Sequence, residues 1–181
     1  HLPPYRQEQI YATRHQVFLP RQTLANGVGL VAHWLQPIAE QIGSKVFADG
    51  YAQVDETPIE YLSPGHGTTK LGYFWTCHRP GGDTLFHWEP SRAAASLERI
   101  IPVDFRGILQ TDGYAAYGAF ARGRGDAIAL AGCWAHVRRG FHEAIESAPQ
   151  AAAFILRQIG LLYGIEARLR ESRAGPDLRA A

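Results

Sequence analysis

Three carboxylates stand where phosphate or metal chemistry would use them: Asp55 in "AQVDETPIEYL", Asp112 in "LQTDGYAAYGA" and Glu166 in "IGLLYGIEARLR". Asp55 interrupts a run of Val, Ile, Tyr and Thr that otherwise reads as a strand feeding a core, where a charge is costly. Asp112 directly follows the apolar strand residues Ile108 to Gln110. Strand ends are where polar groups gather in an α/β sheet without disturbing its core. Each aspartate also has an ordinary structural reading, Asp55 as the cap of a turn before Pro58 and Asp112-Gly113 as a turn pair.

Glu166 is harder to read that way. On a helix advancing about 100° per residue, Ile155, Ile159, Leu162 and Leu169 form one stripe, and Glu166 projects into its middle. An unpaired buried carboxylate costs several kcal/mol, so a glutamate expected to face the core needs a cation, a metal or a raised pKa. Glu143, on the preceding helix, points away from that helix's apolar side and reads as a solvated charge. Three carboxylates, on a first strand, after a fourth strand and on a late helix, suit two-metal phosphoryl transfer. Mg²⁺ or Mn²⁺ takes oxygen ligands and keeps several waters. Two such ions ~3.5 to 4 Å apart stabilise the attacking and leaving oxygens of an in-line displacement. Glu56, beside Asp55, points to the opposite face of the strand and is expected to be structural.

These acids need a frame, and the pattern supplies one. "PYRQEQIYATRH" predicts a short helix, "LPRQTLANGV" a second after a turn near Val17 to Pro20, and "LVAHWLQPIAEQIG" a third, broken or kinked at Pro37. The first two resemble a helix-turn-helix with "PRQTLANGV" in the recognition position, or else a packed lead-in without DNA contact. From Lys45 the texture changes. "VFADGYAQVDETPIEYL" predicts a strand ending at or near Asp55, "SPGHG" a turn, and "KLGYFWTCHR" with "DTLFHWE" a hairpin. Then come the helix "SRAAASLERII" with Ser91 as N-cap, the strand "GILQTDGY", the helix "YAAYGAFAR", the buried strand "AIALAGCWAH", and the helices "VRRGFHEAIES" and "QAAAFILRQIGLLYGIEARLRES". A meander followed by alternating strand and helix predicts an α/β fold with a mixed five-stranded sheet flanked by helices.

The totals bound the rest. The chain has 181 residues, 46% of them hydrophobic and 19% charged, enough for one sizeable domain with a core. No apolar run reaches the ~20 residues of a bilayer span. The opening His-Leu-Pro-Pro is unlike a secretory signal, and Cys77 and Cys133 do not form a disulfide framework, so an intracellular location is expected. The net charge of +1 neither demands nor excludes nucleic acid. Lys45 and Lys70 are the only lysines among 18 basic residues, a bias that suits phosphate binding and equally a GC-rich genome. A chain without Met that begins at His1 reads as a piece of a longer protein.

In this order and over nearly the whole chain, "HLPPYRQEQIYA", "VDETPI", "LQTDGYAAYGA", "LAGCWAHVRRGFHEA" and "IGLLYGIEARLR" resemble the DDE transposases of the insertion sequence 66 family. The resemblance implies an RNase H-like domain over residues 45–181, incomplete at its C-terminus, behind a helical lead-in over 1–44. It implies that Asp55, Asp112 and Glu166 bind two divalent ions, Mg²⁺ or Mn²⁺, and catalyse DNA strand cleavage and transfer at the ends of a mobile element. His136, Arg138 and Arg139 would contact DNA. Homo-oligomers and accessory proteins of the same element are the expected partners, and the nucleoid the place of action. Cys133, His136 and His142 offer zinc ligands, but no second ligand pair at a recognisable spacing supports that use. Gly27, where the family often has Trp, and Gly140, where a basic residue is common, depart from the pattern. A catalytically idle DNA-binding module and another RNase H-like nuclease are the competing functions.

Overall fold

The computed structural model describes residues 2–63, 65 and 67–175. Two helices, α1 (Pro4–His15) and α2 (Arg21–Phe47), lead into the strands β1 (Tyr51–Leu62), β2 (Thr69–His78) and β3 (Thr84–Glu89). Helix α3 (Ala94–Ile100), strand β4 (Gly107–Thr111), helix α4 (Ala115–Arg124) and strand β5 (Ile128–Gly132) follow. Helices α5 (Trp134–Glu143) and α6 (Pro149–Glu171) end the fold. This is the expected α/β order. The five strands form one mixed sheet in the order β3-β2-β1-β4-β5. β1, β2 and β3 run antiparallel, whereas β4 and β5 run parallel to β1.

One face of the sheet carries the core. Ala52 and Val54 of β1, Trp75 and Cys77 of β2 and Leu109 of β4 pack with Leu97 and Ile100 of α3, Tyr117 and Phe120 of α4, and Val46 and Phe47 at the end of α2. Side chains alternate along a strand. Tyr51, Gln53 and Asp55 therefore share the opposite face. Burial pushes the Cys77 thiol up to about 12, so it behaves as a small apolar filler.

Several expected boundaries move. The second and third helices are one, α2, which runs through Gly27, Gly29 and Pro37. Pro37 removes one backbone bond, but Ile42, Val46 and Phe47 beyond it anchor the helix end on the core. Those same buried residues explain why the first strand begins at Tyr51 and not at Val46. Between them Gly50, at φ 68, turns the chain, and its carbonyl accepts Ile108 N–H at 2.8 Å. Gly107 approaches so closely that a Cβ there would stand 1.9 Å from the Gly50 oxygen, so this junction requires glycine. Ser91 does not cap α3. Its hydroxyl accepts the Ala93 N–H at 3.1 Å, closing a turn one step earlier, and Ala93 itself precedes the helix. The strand read in "AIALAGCWAH" ends at Gly132 and lies at the sheet edge with only Ile128 buried, because α5 already begins at Trp134. The "SPGHG" turn includes residues 64 and 66, which lie outside the described residues.

Candidate active site

The sheet register fixes where the two aspartates stand. Tyr51 pairs with Ile108 and Gln53 with Gln110, an offset of 57 residues, and the same 57 separate Asp55 from Asp112. The aspartates thus extend two neighbouring parallel strands to the same level, two residues past their last paired position. Asp55 is not at the end of β1, as expected from sequence, but inside it. β1 continues along β2 after β4 has stopped, so Asp55 keeps strand geometry while losing its neighbour on the β4 side. Its side chain is 53% exposed.

Local bonds orient both groups. Asp112 Oδ1 accepts the Tyr114 N–H at 2.8 Å, and Gly113, at φ 88, completes this turn. Asp55 Oδ1 accepts the Glu56 N–H at 3.1 Å, while Asp55 Oδ2 faces His136 Nε2 at 3.8 Å. On the same sheet face, Gln110 Oε1 accepts hydrogen bonds from Tyr51 Oη at 2.6 Å and Gln53 Nε2 at 2.7 Å. This polar layer holds β1 and β4 together directly before the acids. Sequence reading missed it because neither glutamine stands out in a strand pattern.

Glu56 occupies the core face, as expected, with its side chain 1% exposed. Arg92 and the Tyr117 hydroxyl bond its two oxygens. Burial works against the charge of Arg92, but the Glu56 carboxylate outweighs it and the pKa is raised. Burial, and then the bond to Glu56, raises the Tyr117 hydroxyl far above its ordinary value. The Arg92 guanidinium also lies 3.6 Å over the Tyr114 ring, the residue whose backbone Asp112 anchors. A continuous set of contacts therefore links β1 next to Asp55 with the loop that carries Asp112.

Glu166 arrives from elsewhere. α6 packs chiefly along α5, with Ala152 and Ile159 as its buried residues. Glu166 does not sit in a core as its apolar stripe implies. Its side chain is 41% exposed and lies 3.6 Å from Arg170, and Leu162 on the same stripe is exposed too. The stripe is only partly covered by α5. Glu143 is exposed, in line with its reading as a solvated charge.

Asp55, Asp112 and Glu166 nevertheless line one cleft of about 760 Å³, together with Thr76, Cys133, Trp134, His136 and Tyr163. His136 Nδ1 is buried there without a hydrogen-bond partner among the described residues. Arg138, Arg139 and His142 line a neighbouring groove and not the cleft itself. Among the described residues, no three His, Cys, Asp or Glu side chains stand close enough to hold one ion together. Hence Cys133, His136 and His142 form no zinc cluster, and the three acids form no closed cage. In kind, however, the acids fit a hard divalent cation, since all three offer oxygen to one solvent-open cleft. No helix among the described residues is long and apolar enough to cross a membrane.

Two uncharacterized proteins of Sinorhizobium fredii resemble the chain. One, y4qI, is 36% identical over 93% of the chain and 34% of its own length. The other, y4jD, is 34% identical over 96% of the chain and 36% of its own length. The chain thus spans about a third of these curated relatives. No solved structure matches it significantly. The family model described as the IS66 family of transposases matches residues 1–181, from the first residue to the last, and the chain belongs to that family.

Proposed function

We propose that the chain is the RNase H-like catalytic part of a DDE-type transposase, and that Asp55, Asp112 and Glu166 are its metal-binding acids. The observation that carries this reading is the level pairing of Asp55 with Asp112 across β1 and β4, facing Glu166 over one cleft. The strand order, with an antiparallel meander and two parallel strands beside β1, supports the RNase H-like assignment. The reaction is metal-dependent cleavage of a DNA strand at the end of a mobile element and its transfer to target DNA.

Divalent ions bound to these carboxylates would supply charge stabilisation for the attacking and leaving oxygens. The chain's own residues do the positioning. The β1–β4 register sets the spacing of Asp55 and Asp112, the Asp112–Tyr114 turn aims the second carboxylate, and His136 Nε2 flanks Asp55 from α5. Arg138 and Arg139, exposed on α5, attract the phosphate backbone toward a cleft whose acids would otherwise repel it. α1 and the first part of α2, joined by a short turn over 16–20, would serve as a helix-turn-helix-like lead-in over residues 1–44, with the end of α2 anchored on a C-terminally incomplete catalytic unit over 45–181.

Mn²⁺ titration by calorimetry tests the reading, with plasmid nicking in the same ion as the activity measure. The parent chain is expected to bind Mn²⁺, and Asp55→Ala, Asp112→Ala and Glu166→Ala each to weaken binding. An Asp112→Asn chain that still nicks DNA would overturn the assignment. Salt-dependent DNA affinity without any Mn²⁺ binding would identify an idle DNA-binding module instead. Nicking without joining of a supplied 3′ hydroxyl end would indicate a different RNase H-like nuclease.

A further inference from the structure

The acidic cleft does not end at its carboxylates. A second cavity of about 660 Å³, lined by Ala135, Arg138, Arg139, His142, Glu143 and Tyr163, shares Ala135 and Tyr163 with it. The two therefore form one surface that runs along the seam of α5 and α6 and changes from mostly acidic to mostly basic. At the acidic end stand two large rings. Trp134, the first residue of α5, is 50% exposed, and Tyr163, one turn before Glu166 on α6, is 43% exposed. Among the described residues neither ring stacks on another, and neither polar tip has a hydrogen-bond partner. Rings of this size left bare are ordinarily core or interface residues. In this cleft they border the acids from α5 and α6.

We propose that the α5–α6 seam carries an unpaired DNA strand into the acidic cleft, with Trp134 and Tyr163 as the surfaces on which its bases stack. This rests on the transposase reading of the cleft and specifies the form of DNA that enters it. Base-on-ring stacking requires a base face freed from the duplex, so paired DNA cannot use both rings. Charge places the rest of the strand. Arg138 lies one turn after Trp134 on α5, and neither it nor Arg139 forms an ion pair among the described residues. Glu143, the acid lining the groove, stands at the far end of the helix from Trp134. α5, with ten residues, is about 15 Å long, the rise of about four stacked nucleotides. The strand is thus held by its phosphates along α5 and by its bases at the cleft.

The test uses the whole chain in Ca²⁺ and fluorescence anisotropy with two labelled octamers, one of deoxyadenosine and one with abasic sites at its central positions. Both carry the same phosphates. Stacking on one side chain contributes about tenfold or more to affinity per base. The parent should prefer the base-bearing octamer by at least that factor. Trp134→Leu and Tyr163→Leu should each lose about tenfold on it and leave the abasic octamer unchanged, while Tyr163→Phe should bind as the parent does. The double change Arg138→Gln, Arg139→Gln should weaken both octamers alike and reduce the slope of log affinity on log salt by about 1.4. Equal binding of the two octamers by the parent, binding of neither, or Leu variants indistinguishable from the parent would each overturn the proposal. The outcome is separable from the catalytic reading. Asp112→Asn nicking can fail or persist independently of the octamer preference, which needs no chemistry.

Discussion

The two aspartates and the glutamate reach the same cleft by different means. Asp55 and Asp112 belong to the sheet. Their relative position follows from backbone register, a shared glutamine layer beneath them and the pairing of buried Glu56 with half-buried Arg92 behind them. Glu166 belongs to a helix whose main neighbour is another surface helix, with exposed apolar residues around it such as Leu161, Leu162 and Ile165. Half of the site is therefore set by hydrogen-bonded ladders in a packed core, and half by helix packing at low contact density. Local opening is easiest where few apolar contacts are made. The lesson is that this site has a side held by the sheet and a side, α6, held by fewer buried contacts.

The largest expected effect separates the two sides directly. Asp55→Asn or Asp112→Asn should lower nicking by at least about 1000-fold, the scale of removing one member of a catalytic unit, and should weaken Mn²⁺ binding more than any change on α6. Glu166→Gln should lower nicking as severely yet leave measurable Mn²⁺ affinity, because the aspartate pair stays in place. If calorimetry gives the three variants the same residual affinity, the distinction between the sides is wrong. All three residues are well exposed, so their thermal midpoints should stay near the parent's.

The next effect concerns the sheet side alone. Arg92→Ala leaves the Glu56 carboxylate with only the Tyr117 hydroxyl, and because Arg92 itself is 36% exposed and water can take part of its place, the loss is about 1 to 3 kcal/mol. Urea denaturation should show that loss. The double change Glu56→Leu, Arg92→Leu should recover much of it.

A pH effect follows on the same side. Glu89, at the end of β3, is buried and bonded by Arg99 of α3, with His87 as a further partner. The Arg99 bond holds its carboxyl below the ordinary carboxylate range against the opposing effect of burial. A carboxyl with a lower pKa folded than unfolded contributes fully above the unfolded value, about 4.3. The contribution is lost as pH falls through the lower folded value. Glu89→Gln should therefore flatten the fall of stability with acid in that window, measured by denaturation at several pH values. A slope unchanged from the parent would remove Glu89 from the account.

The smallest effect sharpens the α6 side. Gly164 of α6 has nothing within 4 Å of where a Cβ would stand. Gly164→Ala should stabilise the helix by about 1 kcal/mol. Hydrogen exchange should slow across α6 and stay unchanged in β1 and β4. Slowing in the strands as well would mean that the two sides open together.

Much of this was legible in the sequence. Alternation and turn residues predicted the order of strands and helices, and the two aromatic-rich runs "KLGYFWTCHR" and "DTLFHWE" the hairpin of β2 and β3. Glu56 was correctly assigned to the opposite face from Asp55, since neighbours on a strand diverge. Helix ends were less legible. Val46 and Phe47 are strand-favouring types that burial in the core turned into the last turn of α2, and Pro37 carried less weight than that anchoring. The amphipathic stripe around Glu166 indicated a buried carboxylate, but a stripe shows which side of a helix is apolar and not whether another element covers it.

By itself the sequence determined the acids, the elements that carry them and the alternation that keeps Asp55 off the core, because these depend on residue type and on neighbours a few positions away. Only the tertiary structure decided that Asp55 and Asp112 stand level, that Arg92 pairs with Glu56 while the Tyr117 hydroxyl donates a hydrogen bond to it, and that α5 and α6 bring His136 and Glu166 to the same cleft. Register, buried pairing and helix docking are contacts between residues tens of positions apart, and no local pattern specifies them.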